Sequence, residues 1–233
     1  MGSALKAAAV VLGCLVTLAG CGSASSSSGA TDSNQKSSAS SSCASDSAAF
    51  AQSTPVGSAD VDGDGKPDAV KLTTGSKECP ARLIAHVAGG YAGGELPGGD
   101  PAPAKAFGVA LTGHDGDLLV TQQDHPRGGY QLHVFADGPD GLMELTDDGK
   151  PLIPFVATDT RPIPYTVDCT GNSIEVNEAV ARSGGTWDLR QKTYSVEGSV
   201  AKRTGVAVLS SNLSPKRVDQ LMPAGQPFGN CRD

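Results

Sequence analysis

Asp60-Val61-Asp62-Gly63-Asp64-Gly65-Lys66-Pro67-Asp68-Ala69-Val70-Lys71-Leu72 is the stretch around which this 233-residue chain reads. Four carboxylates stand at positions 1, 3, 5 and 9, with a glycine at position 6. Alternate acidic side chains can turn inward on a hard cation, and the glycine permits the sharp turn between them. Four like charges in one tight loop repel one another unless a cation compensates them. The loop runs into Ala69-Val70-Lys71-Leu72, an apolar–polar alternation that leaves as a β-strand. An EF-hand needs an acid at position 12 and an exiting helix; position 12 here is Lys71.

The D-x-D-x-D-G-x-x-D spacing resembles the calcium loops of FG-GAP and VCBS repeats, found in integrin-type propellers and in many exported bacterial proteins. The resemblance covers one unit well and a second poorly. It implies Ca²⁺ held on a hairpin by the side chains of Asp60, Asp62, Asp64 and Asp68, with the Lys66 carbonyl as fifth ligand. Extracellular sites of this kind work with Kd of ~10⁻⁴–10⁻³ M. Magnesium suits a flexible cage of carboxylates and a carbonyl less well.

Upstream of the loop the chain reads as export machinery. Lys6 precedes an apolar run, Ala7 to Leu18, that would span roughly 18 Å as a helix at ~1.5 Å per residue. That is short of a bilayer core of ~30 Å, so residues 1–20 read as a secretory signal. The run closes on Leu18-Ala19-Gly20-Cys21, which resembles a bacterial lipobox and implies lipidation of Cys21. Val11-Leu12-Gly13-Cys14 competes poorly, because it cuts the apolar run short. A lipid would anchor the chain to the extracytoplasmic face of a cell membrane without a spanning segment. Residues 21–42 form a Ser-rich disordered linker with an end-to-end distance of roughly 25 Å. Residues 43–233 form a single β-rich domain.

Losing Lys6 takes the formal charge from −7 to −8. An acidic domain without a basic cluster argues against nucleic acid as a partner. Cys43, Cys79, Cys169 and Cys231 remain after Cys14 and Cys21 are set aside. An even number in an exported domain implies two disulfides, with three possible pairings. Cys43–Cys79 and Cys169–Cys231 are favoured, since each ties one end of the domain to an interior strand. A zinc site is disfavoured, because no pair has CxxC spacing.

Short apolar runs broken by Gly, Pro, Asp and Asn mark an all-β domain of repeated antiparallel hairpin units, incomplete propeller-like or sandwich, with one short C-terminal helix. Strands are expected at Ala69–Thr73, Arg82–Val87, Phe107–Thr112, Leu118–Gln122, Tyr130–Phe135 and Leu142–Leu145. Ala88–Ala104, with six of its residues reading Gly89-Gly90-Tyr91-Ala92-Gly93-Gly94, is expected to be a flexible surface loop. Asp117-Leu118-Leu119-Val120 and Leu132-His133-Val134 echo the first acidic loop and its strands at a spacing of about 50 residues, as blades of a propeller do. A third hairpin pairs 173–181 with 186–196. Gly184-Gly185 as a two-residue turn would set Val180 opposite Leu189 and Val176 opposite Thr193. Ser214-Pro215 opens a helix through Leu221, and Pro223 stops it.

No catalytic constellation stands out. His86, His114, His125 and His133 form neither HxH nor HExxH, and no GxSxG elbow occurs. His86 and His133 read as equivalent packing positions. Asp115 with Asp117 lacks later acidic partners and reads as a turn, as do Asp137–Gly141 and Asp147–Gly149. Glu178 shares a strand face with Ile174, Val176 and Val180. These features support a surface lipoprotein with a Ca²⁺-stabilised domain in a binding, adhesion or envelope-scaffold role toward a protein or envelope polymer. The alternative is an exported hydrolase or accessory factor with Glu178 or a histidine in a cleft.

Overall fold

A computed structural model describes residues 43–97, 104–125, 129–155, 165–222 and 227–231. Residues 1–42, expected above to hold a signal, a lipidated Cys21 and a linker, lie outside the described residues, as does Pro223. A short helix, α1 (Asp46–Ala51), precedes four strands: β1 (Thr54–Ala59), β2 (Asp68–Leu72), β3 (Arg82–Val87) and β4 (Gly90–Glu95). Four more follow: β5 (Ala104–Val109), β6 (Leu118–Asp124), β7 (Tyr130–Gly138) and β8 (Gly141–Glu144). Each set is an antiparallel meander. The two share one sheet in the order β4-β3-β2-β1-β5-β6-β7-β8. β1 and β5 run parallel where the sets meet, with Gly57 beside Ala106 and Ser58 beside Phe107. A Cβ at Gly57 would strike the Ala106 carbonyl, so only glycine allows this seam.

The sheet curls until it is nearly closed. Gly94 lies against the backbone of Leu142, and Gly141 against that of Gly93, bringing β4 to β8. The repeat is therefore real at the level of the meander, but its two copies lie side by side in one curled sheet and not as radial blades. The same closure corrects the reading of 88–104 as a loop. Gly90–Glu95 is strand β4, paired with β3 from Arg82↔Glu95 to Val87↔Gly90, and its glycines are what let a neighbouring backbone come close. Residues 98–103 of that stretch lie outside the described residues.

A small hairpin, β9 (Thr146–Asp147) with β10 (Lys150–Pro151), leads to a second sheet of four strands in sequential order. These are β11 (Tyr165–Thr170), β12 (Ser173–Ala181), β13 (Trp187–Glu197) and β14 (Val200–Leu213), followed by helix α2 (Pro215–Leu221). The β12–β13 register differs by one residue from the sequence expectation: Val180 faces Asp188 and Val176 faces Lys192. The Arg182 amide donates to the Thr186 carbonyl (2.8 Å), which closes a three-residue loop over Ser183-Gly184-Gly185. Both glycines take positive φ, so the loop holds one residue more than a Gly-Gly turn would. α2 opens as read, with the Ser214 hydroxyl accepting the Arg217 amide (3.3 Å).

β6 and β7 are buried on both faces over Leu118–Thr121 and Leu132–Ala136, where apolar residues are interrupted only by Thr121 and His133. Leu119 and Phe135 point into the curl with Val61, Val70, Leu83, Ala92 and Leu142. Leu118, Val120, Leu132, Val134 and Ala136 point the other way, onto Val167, Ile174, Val176, Tyr194 and Val196 of the second sheet. Burial of each such side chain contributes roughly 1.5–3 kcal/mol. α2 seals the far face of that sheet by setting Val218 and Met222 on Ala179 and Leu189. Both disulfides form in the favoured pairing, Cys43–Cys79 and Cys169–Cys231.

Candidate metal centre

The loop between β1 and β2 brings three of its acids to one point. One carboxylate oxygen from each of Asp60, Asp62 and Asp68 lies within 4.8 Å of the others. Ca²⁺–oxygen distances of ~2.3–2.6 Å place the oxygens around one ion at such separations. Backbone amides hold each side chain in place. Gly65 donates to Asp60 Oδ2 (3.0 Å) and Val61 to Asp68 Oδ2 (2.9 Å). Asp64 donates to Asp62 Oδ1 (3.2 Å), and Ala88 to Asp62 Oδ2 (2.7 Å). Asp60 Oδ1 is shielded from solvent and has no hydrogen-bond partner. A buried carboxylate oxygen without a donor is costly unless a cation or proton meets it. The oxygen-only donor set suits a hard cation such as Ca²⁺.

Burial raises the Asp68 carboxyl above its ordinary range, and the charges of Asp62 and Asp64 push the same way; the Val61 amide opposes them. Asp64 does not join the cluster. Its Oδ1 accepts the Lys66 amide (2.8 Å) and its Oδ2 the Lys66 ammonium (3.1 Å). That side-chain bond leads the causes that lower the Asp64 carboxyl and raise the Lys66 ammonium. Three of the four expected carboxylates thus converge, while the fourth is exposed and engaged with Lys66.

The loop rests on a strut that the sequence did not disclose. Asp117, in the equivalent loop of the second meander, accepts the Asp60 amide through Oδ2 (3.0 Å), and its own amide donates to the Asp60 carbonyl (2.6 Å). The only signal for it was the echo of the first loop around Asp115 and Asp117, which marks equivalent positions and not a second metal loop. Asp137, near the end of β7, is raised chiefly by burial and also by the charge of Asp62. The curled sheet therefore gathers acids from both meanders at one end.

The remaining candidates have structural partners. His86 is stacked on Tyr91 (4.8 Å between ring centroids) on the outer face, with Phe50 beside both. His133 faces the inside of the curl, where its Nδ1 lies 2.7 Å from Glu144 Oε1 and its Nε2 3.1 Å from Gln123 Oε1. The two histidines occupy opposite faces and are not equivalent positions. His114 spans the Gly116 and Gly198 carbonyls (2.9 and 3.1 Å), and His125 packs edge-on against Phe155. Glu178 is ion-paired with Lys192 (3.3 Å). A cavity of about 240 Å³ lies between α1 and Cys43–Cys79, lined by neither Glu178 nor any histidine. Among the described residues no helix is long and apolar enough to cross a membrane.

No family model, curated protein or solved structure matches this chain. The likeness to FG-GAP and VCBS loops rests on the motif alone.

Proposed function

We propose that this chain is an exported lipoprotein, anchored through Cys21 on the extracytoplasmic face of a membrane and spaced from it by the Ser-rich linker. Its β-domain binds Ca²⁺ at Asp60, Asp62 and Asp68 and serves a binding, adhesion or scaffold role toward a protein or envelope polymer. The metal's role is structural: it neutralises the converging carboxylates and pins the β1–β2 loop. The observation that supports this reading is Asp60 Oδ1, buried without a donor beside two further carboxylates. The alternative of an exported hydrolase has less support: the Glu178 carboxylate is ion-paired with Lys192 and lies against Tyr165, away from the cavity beside Cys43–Cys79.

Thermal melting with excess EDTA and with millimolar calcium tests the reading. A site of Kd ~10⁻⁴ M stabilises by about 1.4 kcal/mol at ~1 mM calcium. Asp62→Ala and Asp68→Ala each abolish that increment. Superimposed curves in EDTA and calcium would refute the metal role.

A further inference from the structure

β14 is the longest strand and the least covered. Val200, Val206, Val208 and Leu209 are 62%, 62%, 58% and 47% exposed, in a chain whose other apolar strand positions are mostly buried. Val206 and Val208 share the face of their neighbours Lys192 and Arg190, beyond the point where the core ends. The other long sheet edges are closed. β4 meets β8 through glycine backbones. The free side of β11 is fastened by residues 228–230: the Phe228 amide donates to the Val167 carbonyl, and the Asn230 amide group bonds both the Cys169 amide and carbonyl. β14 ends its sheet, and among the described residues no strand pairs with its other side.

Soluble proteins blunt such an edge with proline, charge or short length. Residues 204–213 read Thr-Gly-Val-Ala-Val-Leu-Ser-Ser-Asn-Leu, with neither proline nor charge. Bulges do occur, yet they flank the regular run Gly205–Val208 and leave it intact. The charge pattern selects the occupant. Lys202 sits at one end, Arg203 beside it is held by Asp147, and the open run is neutral, so an acidic strand would find no partner charge along it. A second copy running parallel would stack the two Lys202 ammonium groups. A second copy running antiparallel sets each of them against Asn212.

We infer that β14 is the pairing edge of a homodimer, in which two copies join antiparallel about Ala207 and continue their four-stranded sheets into one. Val206 of each copy then meets Val208 of the other on one face. The two Arg203 residues stand about 27 Å apart at ~3.4 Å per residue, several screening lengths of ~8 Å. This does not depend on the metal site or the lipid anchor.

Cysteine crosslinking of the full chain tests it. Residues paired on antiparallel strands have Cα atoms ~4.5–5.5 Å apart, within the ~4.4–6.8 Å that a disulfide spans. Ala207→Cys, lying opposite itself, gives on mild oxidation a reducible species of twice the chain mass, above the background from Cys14 and Cys21 in the parent. Lys202→Cys does not, because it faces Asn212 of the other copy. Adding Val206→Lys to Ala207→Cys abolishes the crosslink while circular dichroism stays unchanged. The pairing is overturned if Ala207→Cys stays single-chain, if Lys202→Cys crosslinks equally, or if the species contains a different protein.

Discussion

Tyr194 shows how one side chain joins the two sheets. It is 1% exposed, and its hydroxyl donates to Asp147 Oδ2 (3.0 Å), which also accepts from Arg203 Nη1 (2.9 Å). The phenol thus carries the β9–β10 turn onto β13, with Arg203 of β14 closing the triangle. Burial holds the phenol well above its ordinary value, and the Asp147 carboxylate adds to the effect. Tyr130 and Tyr165 are raised chiefly by burial as well. The sign follows from linkage: the folded state keeps these protons where the unfolded chain, with a tyrosine pKa of ~10, has lost them. Stability is full below that pH and falls as pH rises toward the folded values. Tyr194→Phe is therefore expected to cost about 1–2 kcal/mol at neutral pH, from the lost bond to a charged acceptor. It also makes the alkaline decline shallower. Urea unfolding at a series of pH values, with phenolate absorbance as a second probe, measures both. An unchanged alkaline slope would mean that Tyr194 ionises in the folded state.

At the scale of elements, the parallel seam between β1 and β5 joins the two meanders through two paired positions, Gly57 with Ala106 and Ser58 with Phe107. Gly57→Ala places a methyl group against the Ala106 backbone, where no side-chain rotation relieves it. A loss of at least about 2 kcal/mol is expected, at the upper end of overpacking penalties. Gly89→Ala, where an added Cβ meets nothing within 4 Å, is the control and is expected to be nearly neutral. Denaturant midpoints of the two variants separate the seam from a general glycine effect. Elements of this kind also mark the boundary of what the sequence discloses. β2, β3, β6, β7 and the β12–β13 hairpin were legible because their apolar residues alternate or run together between turn residues. β4 was hidden by glycines that serve the closure with β8. β14 was hidden by its bulges, which spread its apolar residues over both faces and erase the period of two. At the candidate site, Asp60, Asp62 and Asp68 were legible because they are neighbours in one loop. Asp117 was not, since 57 residues separate it from Asp60 and only the folded seam brings them together.

Over the whole molecule, the two disulfides close loops of similar entropic weight but hold different things. Sequence separations of 36 and 62 residues correspond to about 4 kcal/mol each on the chain-entropy account. Cys43–Cys79 retains α1, which contributes no fully buried residue and is otherwise held by the Arg82–Asp46 ion pair, the Phe50 ring contacts and the Lys71 ammonium on the Phe50 carbonyl and ring. Cys169–Cys231 retains the segment that places Phe228, 0% exposed, into the core between the sheets. Without that crosslink the segment keeps the Phe228 amide bond to Val167 and the Asn230 bonds to Cys169, all along one strand edge. Such edges open by local fraying, and here fraying withdraws a core aromatic. Cys169→Ser with Cys231→Ser is therefore expected to lose about 4 kcal/mol and to expose core amides of β11 and β12 to hydrogen exchange. Cys43→Ser with Cys79→Ser is expected to lower stability by a comparable amount, with the extra exchange confined to 43–53. Exchange measured by mass spectrometry on both variants distinguishes the two roles. Continued protection of β11 after loss of Cys169–Cys231 would show that Phe228 and Asn230 hold the segment unaided.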